Sequence, residues 1–239
     1  MKFRAQTERL GYRRSWIFGA PIATAFATLI VPAAAHADGD FPPSYSNYIR
    51  VGYAHVSFSM DATPIVGGVV LADANAKASR NQTIGVEFGH FLTHAVSVSL
   101  IVGAPPTTSI TGTGIMAGVP FGRITYGPAI LAANYHVNGL GRFRPFVGAG
   151  ANYTVILSTH DDAMIHLRAK NAVGFVARGG ADVALTRRIG LFASVQKILV
   201  STDINAEVNP AIPGLGGAPV SARAKLDPLI VHTGLTFSF

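Results

Sequence analysis

Leu229-Ile230-Val231-His232-Thr233-Gly234-Leu235-Thr236-Phe237-Ser238-Phe239 places an apolar or methyl-bearing side chain at every odd position. Successive side chains of a strand point to opposite faces, so a period of two gives one greasy face and one different face. A helix needs a period near 3.6, which this stretch lacks. The run therefore predicts an amphipathic β-strand that ends on an aromatic residue.

The opposite end of the chain predicts export. Lys2, Arg4, Arg9, Arg13 and Arg14 form a basic region, Trp16 to Val31 is apolar, and Ala35-His36-Ala37 offers a small-x-small cleavage site before Asp38. Residues 1–37 are thus expected to be a signal peptide and residues 38–239 the barrel domain argued below. A membrane anchor fits less well, because the apolar run falls short of the roughly 20 residues a helical span needs, and Pro21 interrupts it. An export signal followed by an amphipathic last strand points to an outer-membrane β-barrel. In that class a terminal aromatic such as Phe239 is what the barrel-assembly machinery reads, which makes that machinery and outer-membrane lipid the expected partners.

The formal charge of the whole chain is +7. Residues 1–37 hold five of the Lys/Arg and one Glu, so the remainder carries 14 Lys/Arg against 11 Asp/Glu. No basic patch with interleaved aromatics remains, which argues against nucleic acid. The absence of Cys excludes disulfides and thiolate metal sites. Hydrophobic residues make up 49%, yet no second apolar run approaches a helical span. A barrel gives that combination, because lipid-facing and lumen-facing residues alternate.

Eight segments are predicted as strands, at roughly 48–60, 80–92, 96–104, 123–137, 143–157, 172–185, 189–202 and 223–239. Each is long enough for a tilted strand to cross a bilayer, which takes about 9–11 residues. Short links (93–95, 138–142, 186–188) alternate with long ones (61–79, 105–122, 158–171, 203–222). Short inner turns alternating with long outer loops is the asymmetry of outer-membrane barrels, and it puts both termini in the periplasm. The expected fold is all-β: an eight-stranded, antiparallel, up-and-down transmembrane barrel.

Parity supports it. Phe143, Pro145, Val147, Ala149, Ala151 and Tyr153 share one face of the fifth segment, opposite Arg144, Gly148, Gly150, Asn152 and Thr154. In the sixth, Val173, Phe175, Ala177, Ala181 and Val183 oppose a face holding Arg178 and Asp182. A soluble sandwich would carry many charges on its outer face; here the polar face is sparse and Gly-rich. His55 and Lys197 strain the pattern, since both fall on the lipid-facing parity. Lys197 is expected to snorkel to the headgroups or to lie beyond a bulge.

Several motifs resemble the OmpW family. They are Arg50-Val51-Gly52-Tyr53, Ile84-Gly85-Val86-Glu87, Phe143-Arg144-Pro145-Phe146-Val147-Gly148-Ala149-Gly150-Ala151-Asn152-Tyr153-Thr154, Gly180-Ala181-Asp182-Val183-Ala184-Leu185 and Leu226-Asp227-Pro228. The fifth-strand run is the specific one, and the motifs occur in family order over the whole segment after the signal. The resemblance implies an eight-stranded barrel that moves small hydrophobic molecules across the outer membrane, through a narrow apolar lumen with an opening in its wall. The outer loops depart from the pattern, being rich in Gly, Ala and Pro.

The inward parity divides by height. Arg50, Glu87, Asn134, His136, Arg144, Arg178, Asp182 and His232 fall in the lower half. Val56, Phe58, Met60, Ile101, Ile130, Ile156, Val176 and Ile230 fall in the upper half. Charges inside so narrow a barrel must be paired. Arg50, Glu87, Arg178 and Asp182 are therefore expected to form a polar plug. Val56, Phe58, Ile130, Ile156 and Ile230 are the expected path for a hydrophobic ligand that comes from outside. Pro128 and Pro228 each remove a ladder donor and are the candidates for a lateral opening.

Two clusters are weaker. His160-Asp161-Asp162 with His166 has the donor types for a divalent cation, but a solvated loop is the preferred reading, and no metal or other cofactor is assigned. His55 and Ser57 share the lipid face, yet no carboxylate orients the His, so no catalytic residue is assigned. The functional expectation is a passive channel, with no enzymatic role. The alternative is a structural or adhesive barrel, against which the outer loops supply only Phe121 as an aromatic.

Overall fold

The computed structural model describes residues 45–239. The predicted signal peptide lies outside the described residues. The elements are β1 (Asn47–Ser57), β2 (Asp61–Val66), β3 (Val69–Val70), β4 (Ala74–Ala78), β5 (Asn81–Phe91), β6 (Val96–Gly103), β7 (Thr107–Gly114), β8 (Pro120–His136), β9 (Phe143–Asp161), β10 (Met164–Ala169), β11 (Ala172–Ala184), β12 (Ile189–Val208), β13 (Pro219–Lys225) and β14 (Leu229–Ser238).

Eight of these close a ring. β1 pairs with β5, β5 with β6, β6 with β8, β8 with β9, β9 with β11, β11 with β12, β12 with β14, and β14 with β1, all antiparallel. The last seam runs from Tyr48↔Ser238 to Ser57↔Leu229. Closure pairs the backbone groups that two open edges would leave without partners in lipid. Alternation sets which face is which. In β11, Val173 and Phe175 are 72% and 55% exposed, while Val176 is wholly buried. The outward apolar side chains have no protein to cover them and are suited to lipid.

Close approach between strands is possible where side chains are missing. Gly234, Gly52, Gly85 and Gly103 lie opposite one another across β14, β1, β5 and β6. A Cβ on Gly52 would meet the Thr233 carbonyl oxygen at 2.0 Å, and one on Gly234 would meet that of Val51 at 2.2 Å.

The long links differ from expectation. They are not plain loops but carry β2, β3, β4, β7, β10 and β13, while β8, β9 and β12 run beyond their predicted upper ends. The predicted last strand, 223–239, is two strands separated by Leu226-Asp227-Pro228. The cause is register propagation. β2 pairs with β13 from Asp61↔Lys225 upward, in the register that Ser57↔Leu229 sets below. Once two strands are aligned, extending the ladder needs no new alignment. These segments need no lipid-facing stripe, so their alternation is faint in the sequence.

Both parity conflicts resolve without a face switch. Lys197 stays outward in register with Leu229, and its Nζ donates to the Asp227 carbonyl oxygen. His55 stays outward between Gln82 and Val231.

Candidate functional site: a cavity above an ion cluster

The lower interior is an ion cluster whose bonds cross the lumen. Arg50 on β1 donates from Nε to Asp182 Oδ1 at 3.0 Å and from Nη2 to Oδ2 at 2.6 Å, reaching β11. Its Nη1 donates to Glu87 Oε1 at 3.0 Å. Arg178 on β11 donates from Nη1 and Nη2 to the two Glu87 oxygens, both at 2.8 Å, reaching back to β5. Thr236 and Ser99 join this set, donating to Asp182 and accepting from Arg178. Glu87 is 0% and Arg50 is 1% exposed. Paired forks of this kind are the geometry in which a guanidinium and a carboxylate bind most strongly. The Arg50 guanidinium is also sandwiched, 4.5 Å from the Tyr48 ring centroid and 4.6 Å from that of Phe146.

Below this cluster, His136 bonds to Ser97 at 2.9 Å, and Arg144 donates to the His94 carbonyl oxygen while lying over Phe91. The four residues predicted to form a plug are thus brought into direct contact.

Above it lies an apolar cavity of about 90 Å³. Val56, Phe58, Ile130, Ile156 and Ile230 all line it, together with Pro128 and Pro228. They come from four strands of the ring: Val56 and Phe58 from β1 and its end, Pro128 and Ile130 from β8, Ile156 from β9, and Pro228 and Ile230 at the start of β14. Phe58 lies just past β1 and meets Tyr126 edge-on at 6.0 Å. A second apolar cavity of about 50 Å³ sits inside the extension that the upper strands form, lined by Met116, Phe121, Met164 and Leu167 among others. Met60, Ile110 and Ile204 line both cavities and form the neck between them.

The two proline sites differ. Pro128 lies in β8 opposite Thr154 of β9. Tyr126 and His136 turn their N–H groups toward the β6–β7 side, donating to Pro106 and Ala95. Residues of even number in this strand share that direction, so the donor that Pro128 lacks belongs to the seam with β6 and β7. There the facing chain is Ala104-Pro105-Pro106, with two more residues lacking N–H. The β6 ladder stops at Val102↔Ala129 and the β7 ladder begins at Thr107↔Thr125. Gly103, Ala104 and Pro106 line the cavity directly behind this gap.

Pro228 stands on the far side of the ring. Its carbonyl accepts from Ile198, and Asp227 anchors both Val200 N and Lys197 Nζ. That seam is interrupted but tied. In the sequence, Pro105 and Pro106 carry no signal of an opening, because a Pro pair after a strand reads as the start of a loop. Gln196 also lines the cavity; with Ser194 on the same inward parity and Lys197 beside it, its sequence neighbours do not mark it.

The remaining candidates are not assembled. Asp161 accepts from the backbone N–H of His166 and of Leu167, which uses its carboxylate to shape the β9–β10 turn. Among the described residues no group of three or more His, Asp or Glu is placed to hold a metal. Ser57 Oγ donates to the Leu229 carbonyl oxygen at 3.4 Å, and none of the described hydrogen bonds joins it to His55.

The OmpW family model matches residues 45–239. The chain belongs to the OmpW family. One relative of this OmpW-family barrel is the dibenzothiophene metabolism operon protein PahQ of Pseudomonas aeruginosa, 32% identical over 190 residues, covering 80% of this chain and 87% of the relative. Another is outer membrane protein AlkL of Ectopseudomonas oleovorans, 26% identical over 230 residues, covering 94% and 93%. The crystal structure of OprG from Pseudomonas aeruginosa superposes with a TM-score of 0.75 at 19% identity, covering 82% of this chain and 96% of that one, a likeness of fold. AlkL and OprG are outer-membrane proteins, and PahQ is a protein of a dibenzothiophene metabolism operon.

Proposed function

We propose that this OmpW-family barrel is a passive outer-membrane channel for small hydrophobic molecules. The molecule comes from outside through the cavity of the extension, passes the Met60–Ile110–Ile204 neck and occupies the apolar cavity of the barrel. The ion cluster closes the straight path below. The exit is sideways, between Pro128 of β8 and the Ala104-Pro105-Pro106 link. The short turns and both termini then face the periplasm.

The observation that carries this reading is the stacking of an apolar cavity directly on a wholly buried ion cluster. An aqueous solute gains nothing from such walls, whereas each buried CH₂ of an apolar one is worth about 0.8 kcal/mol. The operon named for PahQ, one of dibenzothiophene metabolism, supports a hydrophobic aromatic class of substrate. The adhesive alternative is weaker, because Phe121, the aromatic of the predicted outer loops, falls in β8 and lines the upper cavity.

The test is uptake of a hydrophobic tracer by cells lacking other such channels. Ile130→Asp or Phe58→Asp places a carboxylate in the path without a partner, where desolvation opposes passage. Uptake is expected to fall at least tenfold, with folding verified by heat-modifiable migration on gels. Folded Asp variants that take up tracer at the parent rate would show that the lumen is not the route.

A further inference from the structure

Gln196 stands where the apolar cavity meets the ion cluster. On β12 it lies opposite Arg178 of β11 on one side and opposite Ile230 of β14 on the other. The next inward residues above it are Ile198 and Val200, both buried. Gln196 is itself 1% exposed and lines the cavity, and its Oε1 has no hydrogen-bond partner among the described residues. The Arg178 Nη atoms are committed to Glu87 and Ser99, and the Arg178 Nε, also buried and without a partner, is not hydrogen-bonded to it.

A buried amide carbonyl left without a donor is costly, and a Met of similar length would fill the same space at no such cost. The Oε1 is enclosed as the structure stands, and a rotation about the terminal torsion of the Gln, which is broad, presents it to the cavity. We propose that Gln196 is the specificity-determining residue for the head group of the ligand, and that the preferred substrate is a small hydrophobic molecule bearing one hydroxyl group. This rests on the reading that the cavity takes a small hydrophobic molecule. The hydrocarbon part fills the apolar walls, and the hydroxyl donates to Oε1 at the floor. A hydroxyl entering an apolar cavity loses its water, and the Oε1 lacks a donor; pairing removes both penalties together. A pure hydrocarbon removes neither.

The experiment compares two probes of matched shape, 2-naphthol and naphthalene, binding to the barrel in phosphatidylcholine nanodiscs. Partitioning into protein-free nanodiscs is subtracted. Trp16 is the chain's only Trp, so residues 45–239 contribute no indole background to the naphthyl fluorescence. The parent is expected to bind 2-naphthol more tightly than naphthalene. Gln196→Leu is expected to weaken 2-naphthol about tenfold, the worth of one net hydrogen bond, and to leave naphthalene unchanged or tighter. Gln196→Met serves the same purpose if the Leu variant fails to give the heat-modifiable folded form.

Equal affinity of the parent for both probes, or an equal loss of both in the folded variant, overturns the role of Gln196 and leaves the hydrophobic-cavity reading intact. Absence of saturable binding of either probe to the parent overturns both.

Discussion

The ion cluster is the place where single residues carry the most weight. Glu87 serves two guanidiniums at once, so its loss deprives Arg178 of both carboxylate bonds, while Arg50 keeps Asp182. Removing one partner of a buried pair leaves a charge without compensation and costs about 3–5 kcal/mol, whereas replacing both partners by apolar residues is often neutral. Glu87→Leu is therefore expected to destabilise the barrel by about that amount in urea unfolding from detergent, followed by gel migration. Glu87→Leu combined with Arg178→Met should recover most of the loss. If the double variant is as unstable as the sum of the two single variants, the residues do not act as a pair. Gly89 shows how tightly this layer is built: a Cβ there would sit 1.9 Å from Cζ of Tyr48, whose hydroxyl bonds to Glu87 and Ser97.

At the scale of elements, the proposed sideways exit needs one seam of the ring to open. Each interrupted seam borders the same cavity, but they are held differently. Beside Pro228, side-chain bonds from Asp227 and Lys197 tie the strands. Beside Pro128, three prolines have removed donors, and the described backbone bond across the gap is Tyr126 N to Pro106 O at 3.2 Å. A Cβ placed on Gly127 would lie 3.9 Å from Cγ of Pro105, on the outer side of this gap. Since the chain has no Cys, an engineered pair, Pro105→Cys with Gly127→Cys, forms a disulfide that has no competitor. Oxidation is expected to slow tracer uptake several-fold and reduction to restore it. A pair at Val195→Cys and Val231→Cys, directly opposite on the β12–β14 seam, should leave uptake nearly unchanged on oxidation. Equal uptake by the oxidised and reduced Pro105/Gly127 pair would place the exit elsewhere.

At the scale of the molecule, the closed ring and the inward set were readable because a lipid-facing strand must keep strict alternation. Arg50, Glu87, Arg178 and Asp182 fell on the inward parity at similar depth, and their contact followed from the cost of burying a charge alone. The outer extension was not readable. Ala74–Ala78 and Thr107–Gly114 carry mostly Ala, Thr, Ser and Gly, and their pairing is inherited from the register of the strands below. The two apolar clusters are correspondingly separate: one gathers Val56, Ile130, Val176 and Ile198 within the ring, the other Val66, Ile124, Leu167 and Val220 in the extension. The ring seams and the ion cluster use no residue of β2, β3 or β4. Replacing residues 61–78 by a short turn is therefore expected to leave a closed, heat-modifiable barrel. The losses are the β2–β13 and β4–β7 ladders and the burial of Val66, about 1.5–3 kcal/mol for a side chain of that size. The same cut opens the upper cavity, because Ala62, Pro64 and Val66 form part of its wall. A variant that no longer reaches the fast-migrating folded form would mean that the extension and the ring fold as one cooperative unit, and that the separation of the two clusters has no energetic counterpart.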